Sequence, residues 1–316
     1  MLAHNTPEND NAKRKIIDSH VHFWDLEREY VPWVYQAGGK FKQSRLAPEY
    51  RQLVPDRLQV DGVVFVEADV EPTQGLVEAK WIHEYAKRLQ HITGFGGIAG
   101  LVVYAPVNQG KHVVNYLDLL KSIVDFSHVK GVRYLVEDPN RDPTIPASPA
   151  FIEGVQALEA YGLSFDININ AHDCPDQFPP VIELVKQCPN IQFVLDHMAK
   201  PPIGAAVGDK QFESWKTHIQ AIASYPNVAC KVSGVITEID EPQGLPSASQ
   251  VQPFLQTVLD AFGHDRLMAG GDWPVVERKG GNIEAWFGIL EDMTAQWSQD
   301  NQDKLWFANA RQIYRL

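Results

Sequence analysis

The chain has 316 residues, with 28 Lys and Arg against 40 Asp and Glu, and a formal net charge of -12. This acidic balance, without a basic run or an apolar stretch of spanning length, argues against nucleic acid or a membrane as partner. Three cysteines without a Cys-x-x-Cys pair indicate a reducing, cytoplasmic compartment. The polar N-terminus predicts a disordered tail at 1–15, followed by a single domain at 16–316.

Eight short apolar segments recur along the chain, each followed by a turn and then by a helical pattern. The predicted strands are 16–22, 61–67, 96–104, 129–135, 163–169, 191–196, 227–233 and 267–272. Helices are predicted at 76–89, 113–126, 149–161, 179–188, 212–225, 251–262 and 283–297. Continuous apolar strands are typical of a parallel sheet covered by helices, and eight such units favour a (β/α)8 TIM-like barrel.

Long connections follow several of these strands, at 24–57, 136–147, 201–208 and 236–249. In a barrel of this type they lie on the carboxyl face, where the active site forms, so together they could wall a pocket. One helix start is well marked, because Ser148 can act as the N-cap and Pro149 suits the first helical position.

The first strand carries two histidines two residues apart, His20 and His22, whose side chains point to the same side. That geometry suits a metal ion or a polarised carbonyl. Further polar residues come at or near the ends of later strands: Arg133, His172, His197, Lys231, Ser233 and Asp272. Because such residues are rarely buried in a core, their convergence on one face predicts a functional site.

Several segments resemble the amidohydrolase superfamily: DSHVHFWD, KGVRYLVE, FDININAHDCP, FVLDHMAKP, NVACKVSG and RLMAGGDWPV. The Asp-His-x-x-Lys-Pro segment and the Asp-Trp-Pro ending are similar to the amidohydrolase-related branch that contains sugar lactonases and 2-pyrone-4,6-dicarboxylate lactonase. The resemblance runs from Ile16 to Leu316 and implies a distorted (β/α)8 barrel that opens a small lactone ring, most simply a sugar aldonolactone.

Carried over by position, the resemblance makes Asp272 the general base that activates water. His20, His22 and His197 would polarise the carbonyl, directly or through a metal. The substrate-binding candidates are Arg133, His172, Lys200, Glu67, Trp24 and Trp33.

The resemblance leaves the metal open. Arg133 and Tyr134 stand where binuclear members of the superfamily carry a bridging lysine, and arginine cannot ligate, so a binuclear site is not expected. His20, His22 and Asp272, with His172 or His197, still offer enough donors for one divalent ion, zinc first. Metal-independent catalysis is the alternative.

Glu67 and Gly271 depart from the family pattern, in which Gln and Ser are frequent at these positions. An ionised Glu67 would disfavour dicarboxylate substrates by charge repulsion, unless Arg133 or Lys200 neutralises it. Two other functions stay open: a metal-dependent decarboxylase of an aromatic or unsaturated acid, and a catalytically silent barrel that binds a metabolite. The sequence leaves the oligomeric state open, a homo-oligomer included.

Overall fold

The computed structural model describes residues 13–239 and 244–316. Residues 1–12 of the predicted tail lie outside the described residues, and the first strand begins within the rest of it. The strands are β1 (Arg14–Val21), β2 (Leu58–Val66), β3 (Ile98–Tyr104), β4 (Val129–Arg133), β5 (Ser164–Ile167), β6 (Phe193–Leu195), β7 (Val228–Ser233) and β8 (Leu267–Gly270). They form one parallel sheet in chain order.

The sheet curls until its two ends meet. Val21 forms a parallel bridge with Trp273, just beyond β8. Two backbone hydrogen bonds reinforce this junction, from Asp272 N to His20 O and from His22 N to Trp273 O, each 2.8 Å long. The predicted (β/α)8 barrel is therefore confirmed.

The helices in the described ranges are α1 (Pro32–Ala37), α2 (Ala47–Leu53), α3 (Gly75–Ala86), α4 (Val113–Ile123), α5 (Pro149–Gln156), α6 (Phe178–Gln187), α7 (Lys210–Ala223), α8 (Ala248–Phe262), α9 (Ile283–Thr294), α10 (Gln299–Asp303) and α11 (Asn309–Tyr314). The predicted cap of α5 is confirmed, since Ser148 Oγ accepts a hydrogen bond from Phe151 N with Pro149 at the helix start. Four short helices were not predicted: α1 and α2 inside the long first connection, and α10 and α11 at the C-terminus.

Most strands end earlier than their apolar patterns predicted. β4 stops at Arg133 instead of 135, β5 at Ile167 instead of 169, and β8 at Gly270 instead of 272. The residues beyond these ends leave the sheet and turn into the site loops. The predicted strands therefore included residues that belong, in the structure, to the loops of the site.

The barrel interior is divided into an apolar layer and a polar layer. Ile17, Val64, Val66, Val102, Val194, Ala229 and Met268 fill the apolar layer, and Ala310 and Tyr314 of α11 pack against them. α11 thereby closes the end of the barrel opposite the long loops. The main core lies between the sheet and the surrounding helices. Over the described residues, the helices are too short or too polar to cross a membrane.

Candidate active site

Three strand ends bring four ionisable side chains together at the carboxyl face of the barrel. His20 and His22 come from β1, His197 follows β6, and Asp272 follows β8; all four are at least nine-tenths buried. The Nε2 atoms of His20 and His22 are 3.0 Å apart. Asp272 Oδ1 lies 3.4 Å from His22 Nε2 and 3.7 Å from His20 Nε2, and Asp272 Oδ2 lies 3.9 Å from His197 Nδ1.

The ring orientation of His22 is fixed by backbone carbonyls. His22 Nδ1 lies 2.9 Å from Val66 O and 3.1 Å from Glu67 O. A carbonyl oxygen only accepts, so Nδ1 carries a proton, and in the neutral imidazole Nε2 then presents its lone pair to the site. The end of β2 thus decides which nitrogen of His22 is available for chemistry.

His20 lies deeper and is held from below. Its Nδ1 lies 3.1 Å from Lys231 Nζ and 3.3 Å from Asp196 Oδ1. Burial lowers the pKa of His20 well below its ordinary value; Lys231 adds to this effect and Asp196 opposes it. Burial therefore favours the neutral form of the His20 imidazole.

Asp272 is held in a left-handed backbone conformation, with φ of 55°. A side chain on neighbouring Gly234 would place its Cβ 2.5 Å from Asp272 Cβ, so glycine is needed there. Burial alone would raise the pKa of Asp272, but His197, His22 and His20 outweigh it and hold that pKa well below the ordinary value. Asp272 is ionised, and its Oδ1 has no hydrogen-bond partner among the described residues.

His197 belongs to an unusual turn after β6, in which residues 197–200 all have φ between 48° and 60°. Left-handed backbone is costly for residues with a side chain, so surrounding contacts must stabilise it. Met198 O accepts a 2.9 Å hydrogen bond from Trp215 Nε1 of α7. His197 Nδ1 lies 2.8 Å from Ser233 Oγ at the end of β7. The turn directs both His197 and Lys200 toward the pocket.

The donor set fits one divalent metal ion. Ligands at zinc distances of about 2.0–2.2 Å in a tetrahedral site are roughly 3.3–3.6 Å apart, close to the separations among His20 Nε2, His22 Nε2 and Asp272 Oδ1. His20, His197 and Asp272 also form a group whose ligand atoms lie within 4.8 Å of one another. To offer Nε2, His20 must carry its proton on Nδ1, where Asp196 Oδ1 can accept it.

A buried charged layer lies directly beneath the histidines. Lys231 Nζ lies 2.6 Å from Asp166 Oδ2 and 3.0 Å from Asp196 Oδ1, and Tyr314 OH donates to Asp166 Oδ2 over 2.7 Å. Burial raises the pKa of Asp166 to about 6 although Lys231 opposes it. At Asp196, Lys231 and His20 outweigh burial, and the pKa falls well below its ordinary value. α11 thus supports the site through Tyr314.

Both cations expected to bind substrate are already paired with carboxylates. Arg133 Nε donates to Glu67 Oε1 over 2.6 Å, and Arg133 Nη2 donates to Glu67 O over 2.6 Å. Lys200 Nζ lies 2.6 Å from Glu137 Oε2. In each pair the charges offset one another. Arg133 and Lys200 therefore offer little net positive charge to an anionic ligand.

The family model for amidohydrolases, Amidohydro_2, matches residues 17–316. The chain belongs to the amidohydrolase family. An L-rhamnono-gamma-lactonase of Scheffersomyces stipitis is 27% identical to this amidohydrolase over 339 residues, 96% of this chain and 100% of that protein. An L-fucono-1,5-lactonase of Burkholderia ambifaria is 27% identical over 304 residues, covering 95% of each chain.

Solved structures support the same fold. A crystal structure of an amidohydrolase from Burkholderia multivorans with bound zinc has a TM-score of 0.79 and 24% identity to this chain. The alignment covers 96% of this chain and 100% of that one. At this identity the likeness establishes the barrel and not the chemistry.

The predicted site residues of this amidohydrolase do not all face one cavity. The central cavity has a volume of about 150 Å³ and is lined by His22, Trp33, Ala68, Asp69, Arg133, Leu135, Glu137, Asn168, His197, Lys200, Asp272, Val275 and Arg278. His172 instead lines a neighbouring cavity of about 310 Å³ with Trp215 and His218. Trp24 is buried behind Trp33, with ring centroids 5.4 Å apart, and its Nε1 donates to Gln43 O.

Four polar residues of the central cavity were not predicted from the sequence: Asp69, Glu137, Asn168 and Arg278. Asp69 lies just beyond β2, where burial and neighbouring Glu67 raise its pKa to about 7. Asn168 lies one residue after β5, inside the predicted strand 163–169, and could have been found from its strand-end position. Glu137 lies in a long loop, and nothing in the local pattern marks it as the partner of Lys200.

Proposed function

We propose that this amidohydrolase hydrolyses the ester bond of a small, neutral, polyhydroxylated lactone, a sugar aldonolactone. One observation carries the proposal: an ionised, buried carboxylate, Asp272, faces His20, His22 and His197 with one oxygen unpaired. Supporting it, two relatives that match nearly the whole chain are named as sugar lactonases.

In this proposal, Asp272 accepts a proton from water, and the resulting oxygen nucleophile attacks the lactone carbonyl carbon. When Ser233 Oγ donates to His197 Nδ1, His197 carries its proton on Nε2 and can donate a hydrogen bond from Nε2 to the developing oxyanion, while keeping that proton. The ring carbon–oxygen bond then breaks, and Asp272 returns its proton to the leaving alkoxide. The product is a hydroxy acid, and one water is consumed.

One divalent ion would be held by His20, His22 and Asp272, with His197 close enough to join them. When bound, such an ion polarises a carbonyl and lowers the pKa of water. His22 would supply its Nε2 lone pair, which the carbonyls of Val66 and Glu67 keep directed into the site. Asp196 would accept the Nδ1 proton of His20.

Charge favours a neutral substrate over a dicarboxylate. Arg133 and Lys200 are paired with Glu67 and Glu137, and Asp272 adds a further negative charge. A carboxylate entering this pocket would meet the acidic side chains Asp69, Glu137 and Asp272 beside the cations Arg133, Lys200 and Arg278, of which Arg133 and Lys200 are already paired. The central cavity of about 150 Å³ has room for a single small ring.

A panel of fucono-, rhamnono-, galactono- and xylono-lactones, followed with a pH indicator, tests the proposal because ring opening releases acid. We expect hydrolysis of at least one of them, above the rate without enzyme, and none of 2-pyrone-4,6-dicarboxylate. Silence across the panel would overturn the proposal. Release of carbon dioxide from an aromatic acid would replace it with the decarboxylase alternative.

A further inference from the structure

Asn168 has a buried side-chain amide, and the described residues do not satisfy its full hydrogen-bonding capacity. It lies one residue after β5, is 2% exposed, and lines the central cavity. Its Oδ1 has no hydrogen-bond partner among the described residues. Leaving a buried amide oxygen unpaired is costly, so this oxygen is positioned to be satisfied by a molecule in the cavity.

Asn168 differs in this respect from the other polar groups around it. Within the described ranges, the cavity-lining His22 and His197 are hydrogen bonded, and Arg133 and Lys200 are ion paired. Two other cavity-lining oxygens lack a hydrogen-bond partner among the described residues: Glu137 Oε2, which is ion paired with Lys200, and Asp272 Oδ1, which already has a chemical role in the proposed reaction. The amide of Asn168 is therefore the neutral polar group left for recognition.

The direction of the Asn168 side chain is given by the cavity that it lines. Asp166, two residues earlier and on β5, points into the barrel and contacts Lys231 and Tyr314. Asn168 comes one residue after the end of β5 and lines the central cavity, so its side chain faces the mouth of the barrel. There it offers one acceptor oxygen and two N–H donors.

We propose that Asn168 is a specificity-determining residue that recognises a hydroxyl group of the lactone, an inference that rests on the proposed function. A hydroxyl donates to the amide oxygen and can accept from the amide nitrogen, so a polyhydroxylated ring satisfies Asn168. A ring without hydroxyl groups leaves the amide buried and unpaired. A carboxylate has no proton to donate to Oδ1.

Two lactones with the same five-membered ring provide the test: galactono-1,4-lactone and γ-butyrolactone, which lacks hydroxyl groups. For each enzyme variant, the ratio of kcat/KM between the two substrates is measured. In Asn168→Ala we expect this ratio to fall about 5- to 150-fold, mainly through KM for the hydroxylated substrate. Asn168→Asp keeps an acceptor oxygen at the same position and should retain most of the ratio. An unchanged ratio in Asn168→Ala, or an equal loss of kcat on both substrates, would overturn the inference.

A binding measurement separates this inference from the proposed function. Calorimetry compares galactono-1,4-lactone binding to Asp272→Asn and to the double variant Asp272→Asn/Asn168→Ala. We expect about 5- to 150-fold weaker binding to the double variant. Equal affinities, or no binding to Asp272→Asn, would overturn the inference. If the affinities differ as expected but the wild-type enzyme opens no lactone, the proposed function fails while recognition by Asn168 stands.

Discussion

Arg133 and Glu67 form a closed pair at the wall of the central cavity, with Arg133 Nε 2.6 Å from Glu67 Oε1 and both side chains almost fully buried. Asp196 is the next carboxylate, 3.7 Å from Arg133 Nη1. The sequence suggested that Glu67 would repel anionic substrates unless a cation neutralised it. Arg133 neutralises the charge of Glu67. Because Arg133 is paired with Glu67, it is not available to bind a substrate carboxylate.

Replacing Glu67 by Gln should therefore release the positive charge of Arg133. We expect the free energy of unfolding to fall by about 2–3 kcal/mol, because a buried charged hydrogen bond is weakened. We also expect a tricarboxylate such as citrate to inhibit the variant at least about tenfold more tightly, because Arg133 could then form one additional ion pair with it. Urea denaturation and inhibition constants check the two effects. Glu84→Gln, which breaks the exposed ion pair with Lys87, is the control and should change neither the stability nor the inhibition by citrate. Unchanged citrate inhibition in Glu67→Gln would contradict the conclusion that Glu67 blocks Arg133.

Asp272→Asn should lower kcat for lactone hydrolysis by about 10²–10⁴, because the amide cannot accept the proton from water. Asparagine tolerates left-handed backbone, so the fold should persist despite the φ of 55° at this position. Steady-state kinetics and circular dichroism check the two expectations. Asp265→Asn, at an exposed carboxylate near α8, is the matched control and should keep full activity. Near-normal turnover in Asp272→Asn would remove it from the mechanism.

The metal prediction concerns stoichiometry. Protein treated with a chelator and titrated with zinc should bind about one equivalent. His22→Leu should weaken zinc binding by at least about 100-fold, because removing a metal ligand costs more affinity than removing a residue that only hydrogen bonds to a ligand. Competition with a chromophoric chelator gives the affinity. His91→Leu removes an exposed histidine and should bind zinc as the wild type does. Undiminished zinc binding in His22→Leu would place the ion elsewhere.

Trp215→Phe should loosen the left-handed turn at 197–200. The change removes the hydrogen bond from Trp215 Nε1 to Met198 O and should lower the free energy of unfolding by about 1–2 kcal/mol. It should also lower kcat, because His197 loses its fixed position. Trp306→Phe is the control, since Trp306 is equally buried but its Nε1 lacks a partner in the part of the chain described. Equal kinetic effects of both substitutions would argue against a role for this hydrogen bond.

Glu29 gives a prediction about pH and stability. Burial raises the pKa of Glu29 from 4.5 to about 8 in the folded protein. Between these values the folded chain binds a proton that the unfolded chain does not, so stability is highest below the unfolded pKa and falls as pH rises through the folded one. The slope is at most about 1.4 kcal/mol per pH unit. Between pH 5 and pH 8.5, the urea midpoint of Glu29→Gln should fall less steeply with pH than that of the wild type. Glu27→Gln, which changes an exposed carboxylate, is the control and should match the wild type. Parallel curves for all three proteins would contradict the shift.

The barrel was predictable because its signals are local. An apolar strand, a turn and a helix follow one another within short windows, and His20 and His22 share a side because strand residues alternate. The short helices α1, α2, α10 and α11 escaped prediction, since their few turns carry little periodic signal. Strand ends were placed too far along the chain because Asn168 and Asp272 continue the strand pattern after the backbone has left the sheet.

What the sequence determined by itself is the family resemblance, the barrel, and the presence of histidines, Arg133 and Asp272 at strand ends. Only the tertiary structure decided which of them meet. It pairs Arg133 with Glu67 and Lys200 with Glu137, and it turns His172 into another cavity. The physical reason is that sequence periodicity is local: it indicates which side of its own helix or strand a residue faces. Ion pairing depends on distances of a few ångströms between side chains that are far apart in the sequence.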